Sequence, residues 1–463
     1  MDGHEPLDRL LLRARPAAAA ALLLTAFLGA GLRLWQALCI WVPSNDGASY
    51  LSMVQDFAHG EFSRGFGYVF PPGTGIVVAP LSALLGDSLL AFSLMGSLAA
   101  FFGILALGKA AGRWLNPRAG LMAGLLLSLL SLSVRSVGEA YSESFFVPLL
   151  CALLYFQSKG RTMLAGICLG LGFWFRPEGL AMFPLLLAPS AKEERAGGCP
   201  WKPMTLALAL ALLLPLARLA WGLPLFPKFE LMRPMGPLGE EGFQGVLLAL
   251  GANLLKVPGA ALEGLDFGLP LLVVPGGLLL FKRSPGLAKA LFLAIVLATA
   301  AQLLFQVKAR FFVDQAPLWI LAGTSVLLLQ RGVGMLLCLL ALLVSGIRVG
   351  HDLLQPPRLD KRPELVLGAK LREAGLKQGE LLTDMPRVAW AAGLVPPPPL
   401  VWTPAKLRAA MKANRPRYIA LGARREGRLS FAREISEIYA PSPLPEELSG
   451  REGAKRLLLL VRR

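Results

Sequence analysis

The sequence predicts an all-α polytopic membrane protein of about 11 transmembrane helices that carries a small C-terminal α/β domain. The chain has 463 residues, 55% of them hydrophobic, and a mean hydropathy of +0.57, which is outside the range of soluble globular proteins. Apolar runs of membrane-spanning length recur along the chain. From about Gln355 the composition changes, because residues 355–463 carry 21 Lys and Arg against 11 Asp and Glu.

Basic residues at the ends of the apolar runs predict the topology. Arg9, Arg13 and Arg15 precede the first run and place the N-terminal residues 1–16 in the cytoplasm. Basic turns then alternate with polar ones along the chain. The predicted spans are Ala17–Val42, Leu89–Leu107, Ala119–Val134, Ser142–Phe156, Thr162–Phe175, Leu180–Ala188, Thr205–Ala220, Phe267–Phe281, Leu287–Gln306, Phe312–Leu329 and Gly334–Ile347.

This scheme predicts a multi-pass protein of the plasma (inner) membrane. Its transmembrane domain covers residues 17–350, with external loops at 43–88 and 221–266. The second loop is expected to contain an interfacial helix over Phe243–Val257. An odd number of crossings leaves the C-terminal domain, residues 355–463, on the extracytoplasmic side.

The C-terminal domain has the alternating pattern of a small α/β fold. Short apolar runs at Leu381–Thr383, Tyr418–Leu421 and Leu457–Val461 predict strands. The segments Lys361–Ala374 and Thr403–Ala413 predict helices between them.

Composition also limits the function. The net charge of +17 is expected to hold anionic lipid headgroups and to set topology, because no aromatic–basic nucleic-acid module is present. Four of the five cysteines lie in apolar segments, so no disulfide framework is predicted. The three histidines stand far apart in sequence, which argues against a histidine metal site.

One acidic stretch follows the first span at the membrane–water boundary. Asp46 lies in the run Asn45-Asp46-Gly47-Ala48-Ser49-Tyr50, where lowered dielectric strengthens the pull of a carboxylate on a proton. The alternative is that Asp46 only caps a short helix from Gly47 to His59. Downstream, the rigid turn Phe70-Pro71-Pro72 could close a pocket beside this acid.

Other ionisable residues stand near the predicted external ends of the spans. Ionisable groups at membrane depth are costly and are therefore functional candidates. Each also has an ordinary explanation: snorkelling for Arg33, Lys308 and Arg310, and an ion pair for Arg135 with Glu139. Together they predict a polar cavity that opens outward. The set comprises Arg33, Gln36, Arg135, Glu139, Glu143, Arg176, Glu178, Lys308 and Arg310.

Several short motifs, in this order, resemble a known family. They are Gly31-Leu32-Arg33-Leu34-Trp35, Asp46 with Tyr50, Phe70-Pro71-Pro72, Tyr141-Ser142-Glu143-Ser144, Gly170-Leu171-Gly172 before Arg176-Pro177-Glu178, Arg310-Phe311 leading to Pro317, and, more weakly, Thr383-Asp384 and Trp390-Ala391-Ala392-Gly393. The pattern resembles the GT-C fold integral membrane glycosyltransferases, and within them the bacterial protein mannosyltransferase and aminoarabinose transferase branch. It covers most of the chain.

The resemblance implies a reaction. Such enzymes transfer a sugar from a polyprenyl-phosphate carrier to an acceptor on the external face, here with inversion. Asp46 matches the family's first-loop acid, which is the general base for the acceptor. Glu143 matches the second family acid, with Glu139 as its rival. Tyr50, Pro71 and Pro72 would line the pocket.

The resemblance also assigns the carrier phosphate and the metal requirement. Arg310 would hold the phosphate with Lys308 beside it, and Arg176 and Arg33 are the next candidates. Many members of the branch have a second acid directly after the first, where this chain has Gly47. That departure leaves open a different acceptor, a different subfamily or lost activity. It also removes a possible metal ligand, so no metal or other cofactor is expected.

Two alternatives to a glycosyltransferase remain at the level of sequence. A membrane transporter or lipid flippase would show inverted repeats and charges near mid-membrane, whereas this sequence has no repeat and places its ionisable residues near span ends. A non-catalytic, degenerate transferase is the other alternative, and it rests on Gly47.

The predicted topology can be tested with single cysteines. In a background without the native cysteines, cysteines at Ser63 and Ser430 should both react with an impermeant thiol reagent added from outside. Labelling at only one of the two positions would contradict the predicted topology.

Overall fold

The computed structural model describes most of the chain. The described residues are 7–40, 42–191, 201–225, 227, 237–240, 242–329, 331–355, 358–395, 404–422, 428–445, 448, 454 and 457–462. Thr403, the first residue of a predicted helix, lies outside them.

Twenty α-helices and four strands are described within these ranges. The helices are α1 Leu7–Ile40, α2 Asn45–Ala58, α3 Phe62–Gly67, α4 Gly73–Leu85, α5 Ser88–Trp114, α6 Pro117–Leu129, α7 Ser131–Gly138, α8 Glu143–Ser158, α9 Thr162–Phe173, α10 Trp201–Ala220, α11 Gly242–Gly264, α12 Gly268–Arg283, α13 Pro285–Leu303, α14 Ala309–Val313, α15 Ala316–Thr324, α16 Arg331–Leu354, α17 Arg362–Glu373, α18 Pro386–Ala391, α19 Pro404–Asn414 and α20 Arg428–Glu434. The strands are β1 Leu381–Thr383, β2 Tyr418–Gly422, β3 Tyr439–Pro441 and β4 Leu457–Arg462. Turns of 3-10 helix cover Pro177–Leu187, Pro237–Gly239, Ser325–Leu328 and Leu359–Lys361.

The chain forms two compact units. The membrane unit comprises Met1–Gln36, Ser93–Val137 and Ser142–Gln355. The loop-and-sheet unit comprises Ala37–Phe92, Gly138–Tyr141 and Pro356–Arg463. The predicted first external loop and the predicted C-terminal domain thus belong to one unit.

Long apolar helices confirm an integral multi-pass membrane protein. Among the described residues, six helices are long and apolar enough to cross a membrane, or seven if a bent pair counts as one span. The six begin at Pro16, Ser88, Trp201, Gly242, Pro285 and Gly332. Shorter apolar helices cover other predicted spans, among them Glu143–Ser158 and Thr162–Phe173. The count of eleven crossings stays a prediction.

The second predicted external loop differs from the sequence-based expectation. The helix predicted over Phe243–Val257 is longer in the structure, where α11 runs for 23 residues from Gly242 to Gly264, because the apolar pattern continues past Val257 with few charges. Its interfacial position stays a prediction. At about 1.5 Å per residue this helix reaches the roughly 30 Å of a bilayer core. By the same rule the 12 residues of α9 rise only about 18 Å, too short to cross alone.

The bent pair α6 and α7 is a helix broken by 49° whose freed backbone groups are satisfied by side chains. Arg33 donates from Nη2 to the Leu127 carbonyl (2.8 Å) and from Nη1 to the Ser128 carbonyl (3.1 Å). Asp266 accepts from the Ser131 amide (2.7 Å) and from its hydroxyl (2.6 Å). Backbone groups in an apolar environment require such partners, so these two side chains stabilise the break.

In the loop-and-sheet unit, α2 carries Asp46. The helix begins at Asn45, and its N-cap is Ser44, whose hydroxyl accepts from the Gly47 amide at 2.8 Å. The prediction that Asp46 caps a helix starting at Gly47 is therefore wrong. Ser44 precedes the helix in extended conformation and makes the capping bond, and Asp46 lies in the first turn.

A four-stranded sheet of order β1-β2-β4-β3 confirms the small α/β domain. Strands β1 and β2 are parallel, whereas β4 is antiparallel to both β2 and β3. Strand β3 was not predicted, because Tyr439–Pro441 is only three residues long and ends in proline. Apolar residues cover both faces of the sheet, with Val388 and Leu459 on one side and Phe431 and Leu460 on the other.

Gly47 lies against the backbone of another segment of the same unit. The main-chain oxygen of Glu139 accepts from the Ser44 amide and from the Ser44 hydroxyl, both at 3.1 Å. A Cβ on Gly47 would overlap this oxygen and would also approach the Cβ of Ala140 to 3.2 Å. The turn therefore requires glycine, and a second acid at this position is sterically excluded.

We expect Gly47→Ala and Gly47→Glu to destabilise the protein, by about 1–3 kcal/mol for the smaller side chain. The overlapped atom belongs to a backbone and cannot rotate away. Thermal unfolding in detergent measures the effect. Gly31→Ala is the matched control, because a Cβ there meets no atom within 4 Å. Wild-type stability of Gly47→Glu would contradict the steric explanation.

Candidate functional site

Asp46 is half-buried in the first turn of α2. A carboxylate in the first turn of a helix interacts favourably with the helix dipole. One turn further on, Tyr50 is buried and packs on Phe70, with ring centroids 4.9 Å apart. Pro71 and Pro72 are buried beside Phe70, at the start of α4. The structure thus places Asp46 and Tyr50 on α2, and Pro71 and Pro72 directly before α4, the helix that packs on α2.

The far end of α2 carries a second acid, Asp56, which has a structural role. It is buried, accepts from the Tyr68 hydroxyl at 2.9 Å, and lies 3.3 Å from Arg64. Burial raises the pKa of Asp56, and the bond from Tyr68 opposes that shift. Asp56 thus ties α2 to Arg64 and Tyr68, in the segment that leads to Phe70 and Pro71.

Glu139, the rival second acid, is bound by the C-terminal part of the chain. Its carboxylate is 1% exposed and accepts from Arg358 at 3.0 Å (Nε) and 2.9 Å (Nη2). Arg358 also donates to the Tyr141 hydroxyl at 3.1 Å. With its main-chain oxygen bonded to Ser44, Glu139 supports the turn that precedes Asp46.

In the membrane unit, Arg176 joins three carboxylates. Its Nη1 lies 2.6 Å from Glu143 Oε1, and its Nε lies 3.0 Å from Asp314 Oδ2 and 3.9 Å from Glu178 Oε2. Arg176, Glu143 and Asp314 are all buried. The guanidinium also stacks on the Phe311 ring at 5.1 Å. Since buried charges need partners, these contacts hold Arg176 in a fixed position.

Arg310 and Lys308 adjoin this cluster. The Arg310 guanidinium stacks on the same Phe311 ring, 5.2 Å from its centroid. Arg310 is half-buried, and Lys308 is exposed immediately before α14. The cluster of Glu143, Arg176, Glu178, Lys308, Arg310 and Asp314 thus contains three acids and three bases, of which Lys308 and Arg310 are the most accessible bases.

The structure gives Arg33 a different place from the other basic candidates. It is 1% exposed and donates four hydrogen bonds, to the carbonyls of Gly29, Leu127 and Ser128 and to the Ser133 hydroxyl. It also lines a small cavity that Glu143 shares. These contacts make Arg33 a stabiliser of the helix break.

The sequence analysis did not predict several residues that lie around Asp46 or in the cluster around Arg176. Asp314 lies within the motif that runs from Arg310 to Pro317 and was not predicted as a site residue. An acid four residues after Arg310 is nevertheless a signal that the sequence contains. Ser44 has the sequence of an N-cap, since Ser is favoured there. Arg358, the partner of Glu139, has no local signal, because it is one of 21 basic residues in the C-terminal domain.

Among the described residues, no group of three or more His, Cys, Asp or Glu side chains is arranged to hold a metal ion. Glu143, Glu178 and Asp314 face Arg176, which occupies the position that a cation would take. Metal-independent chemistry stays a prediction.

No protein-family model and no curated protein sequence matches the chain. Solved structures do. The structure of ArnT from Cupriavidus metallidurans bound to undecaprenyl phosphate matches with a TM-score of 0.63 at 13% identity, over 94% of this chain and 97% of that one. Its apo structure gives 0.61 at 14% identity, over 96% and 98%.

The oligosaccharyltransferase of Archaeoglobus fulgidus, in complex with zinc and sulfate, matches with a TM-score of 0.55 at 13% identity, over 90% of this chain and 71% of that one. ArnT, an aminoarabinose transferase, and this oligosaccharyltransferase are both membrane glycosyltransferases of GT-C fold. The agreement extends through almost the whole length of the chain and includes the soluble domain. The protein has the GT-C fold, as its sequence motifs predicted.

Proposed function

We propose that the protein is a glycosyltransferase that moves a sugar from a polyprenyl-phosphate donor to an acceptor on the extracytoplasmic face, with inversion. The observation that carries the proposal is the fold, which the chain shares over 94% of its length with ArnT bound to undecaprenyl phosphate. The other structural neighbour, the oligosaccharyltransferase of Archaeoglobus fulgidus, is tethered to an acceptor peptide in a further structure. The undecaprenyl phosphate bound by one neighbour and the acceptor peptide tethered to the other support a lipid-linked donor and a separate acceptor.

Asp46 is the general base of the proposed reaction. The acceptor hydroxyl attacks the anomeric carbon of the donor, and its proton passes to the Asp46 carboxylate. The bond between the anomeric carbon and the phosphate oxygen breaks, and polyprenyl phosphate leaves with the electron pair. The position of Asp46, half-buried on a helix turn fixed by Ser44 and Glu139, supports this assignment, since a base must be held in place to act.

Arg310 and Lys308 are the proposed ligands of the carrier phosphate. A guanidinium can bind phosphate through two parallel hydrogen bonds and stabilises the charge of the leaving group. Arg176 is less suited to this task, because Glu143 and Asp314 already neutralise it at 2.6 and 3.0 Å. Glu143 is the proposed second acid, and it acts by holding Arg176 beside Phe311.

The degenerate-transferase alternative loses its main argument. It rests on the missing acid at Gly47, but that position has no room for any side chain. The glycine is explained by close packing against Glu139, so it carries no information about loss of activity.

Asp46→Asn should fold normally and lower transfer by roughly 10²-fold or more, because asparagine has nearly the same volume and no basic oxygen. Transfer is measured with a panel of undecaprenyl-phosphate-linked hexoses and pentoses and a membrane extract as acceptor. Asp87→Asn is the matched control. Asp87 is an exposed N-cap that accepts from the amides of Leu89 and Leu90, and asparagine serves that role well. Near-normal transfer by Asp46→Asn would contradict the proposal.

Arg310→Ala should raise the KM for the donor more than it affects thermal stability, and Arg310→Lys should restore part of the loss, because an ammonium cannot reproduce the bidentate fork. Titration of the donor with each purified variant measures the KM, and thermal unfolding measures the stability. Arg113→Ala is the control, since Arg113 likewise stacks on an aromatic ring, that of Tyr155 at 4.9 Å. An unchanged donor KM in Arg310→Ala would exclude Arg310 as the phosphate ligand.

A further inference from the structure

We propose that Arg358 and Arg387, both from the C-terminal domain, are positioning residues for Asp46. They hold the turn Pro43–Gly47, from which α2 starts, so sugar transfer depends on the C-terminal domain. The inference rests on the proposed function, because Asp46 is the base there. Its geometric part concerns only contacts within the loop-and-sheet unit.

Arg387 holds the beginning of the turn. Its Nε donates to the Pro43 carbonyl at 2.7 Å, and its Nη1 donates to Glu364 at 2.8 Å. The side chain of Arg387 is 3% exposed. Helix α18, which carries it, packs directly against α2. Because the guanidinium is planar and is bonded at two of its nitrogens, it fixes the direction from which Pro43 enters the turn.

Arg358 holds the turn indirectly, through Glu139. Its two bonds of 2.9 and 3.0 Å fix the Glu139 side chain, and the Glu139 main-chain oxygen accepts both bonds from Ser44. Ser44 in turn caps α2 through Gly47 at 2.8 Å. A series of hydrogen bonds thus leads from Arg358 through Glu139 to Ser44 and Gly47, the residues that flank Asn45-Asp46.

Backbone strain marks the same segments. Arg358 and Ala140 are not glycine, yet they have φ of +69° and +56°, a region that L-residues seldom adopt. Such conformations persist where surrounding contacts enforce them, and they concentrate at functional sites. Here Ala140 directly follows Glu139, and Arg358 forms the ion pair with Glu139. Both strained residues therefore belong to the contact that supports the turn.

The sheet of the C-terminal domain is held by a third arginine. The C-terminal domain has its own buried ion pair, Arg428 with Asp384 at 2.8 Å, where Asp384 also accepts from the Gly422 amide at 3.0 Å. That pair joins the ends of β1 and β2 to α20. The C-terminal domain therefore contains the half-buried Arg358 and the buried Arg387, which contact the segments of the Asp46 turn, and the buried Arg428, which contacts the sheet.

The test compares Arg358→Gln and Arg387→Gln with Arg428→Gln in the purified full-length protein. A displacement of about 1 Å at a reacting group can cost on the order of 10²-fold in rate. We expect kcat to fall by about 10-fold or more in the first two variants, with the donor KM unchanged because the phosphate ligands are elsewhere. Amide exchange of residues 44–50 should accelerate in both. Arg428→Gln should lower the unfolding temperature and leave kcat and the exchange of 44–50 unchanged at temperatures where the domain is folded.

A charge exchange separates a specific contact from general loss of stability. The double variant Glu139→Arg with Arg358→Glu restores an ion pair at the same place and should recover kcat and exchange protection relative to Arg358→Gln. Wild-type kcat and exchange in both glutamine variants would overturn the inference. An equal loss of kcat in Arg428→Gln would also overturn it. If the wild-type protein transferred no sugar, the proposed function would fail, and the exchange of residues 44–50 would still decide whether the arginines hold the turn.

Discussion

The structure of the candidate catalytic turn depends on one main-chain oxygen, that of Glu139. This oxygen accepts hydrogen bonds from the amide and the hydroxyl of Ser44. It also leaves no room for a Cβ on Gly47. Because a backbone oxygen cannot rotate away, it fixes the N-terminus of α2 more firmly than a side chain would. The position of the capping residue Ser44 and the glycine at position 47 both follow from this contact.

The buried arginines of this protein illustrate how one residue type fills different roles. Arg33 satisfies carbonyls freed by a helix break, which a chain in an apolar environment requires. Arg176 is held by Glu143 and Asp314, so its charge is already balanced. Arg310, half-buried on the same aromatic ring as Arg176, keeps the accessibility that a phosphate ligand needs. Burial distinguishes Arg33 and Arg176, whose side chains are almost wholly enclosed, from the half-buried Arg310, and the proposed role of Arg310 as a phosphate ligand rests on that accessibility.

The C-terminal domain packs against the segment that carries the candidate base. Its helix α18 packs on α2, and two of its arginines bind the segments that hold the turn before Asp46. Since residues 37–92 and 356–463 belong to one unit, an even number of crossings separates them. The ten spans predicted between them satisfy this condition, and a crossing by α11 would require that one of the short spans does not cross.

The sequence by itself determined the membrane class, most helix positions, the small α/β domain and the GT-C resemblance. Hydropathy, basic turns and the order of short motifs are local properties that the sequence records directly. It also identified Asp46, Glu143, Arg176 and Arg310 as an unusual set of charges. Only the tertiary structure decided that Gly47 has no room for an acid, that Glu139 pairs with Arg358, and that Arg387 binds the Pro43 carbonyl. These facts depend on contacts between residues separated by 90 to 350 positions, and no local pattern encodes which of many buried polar groups meet when the chain folds.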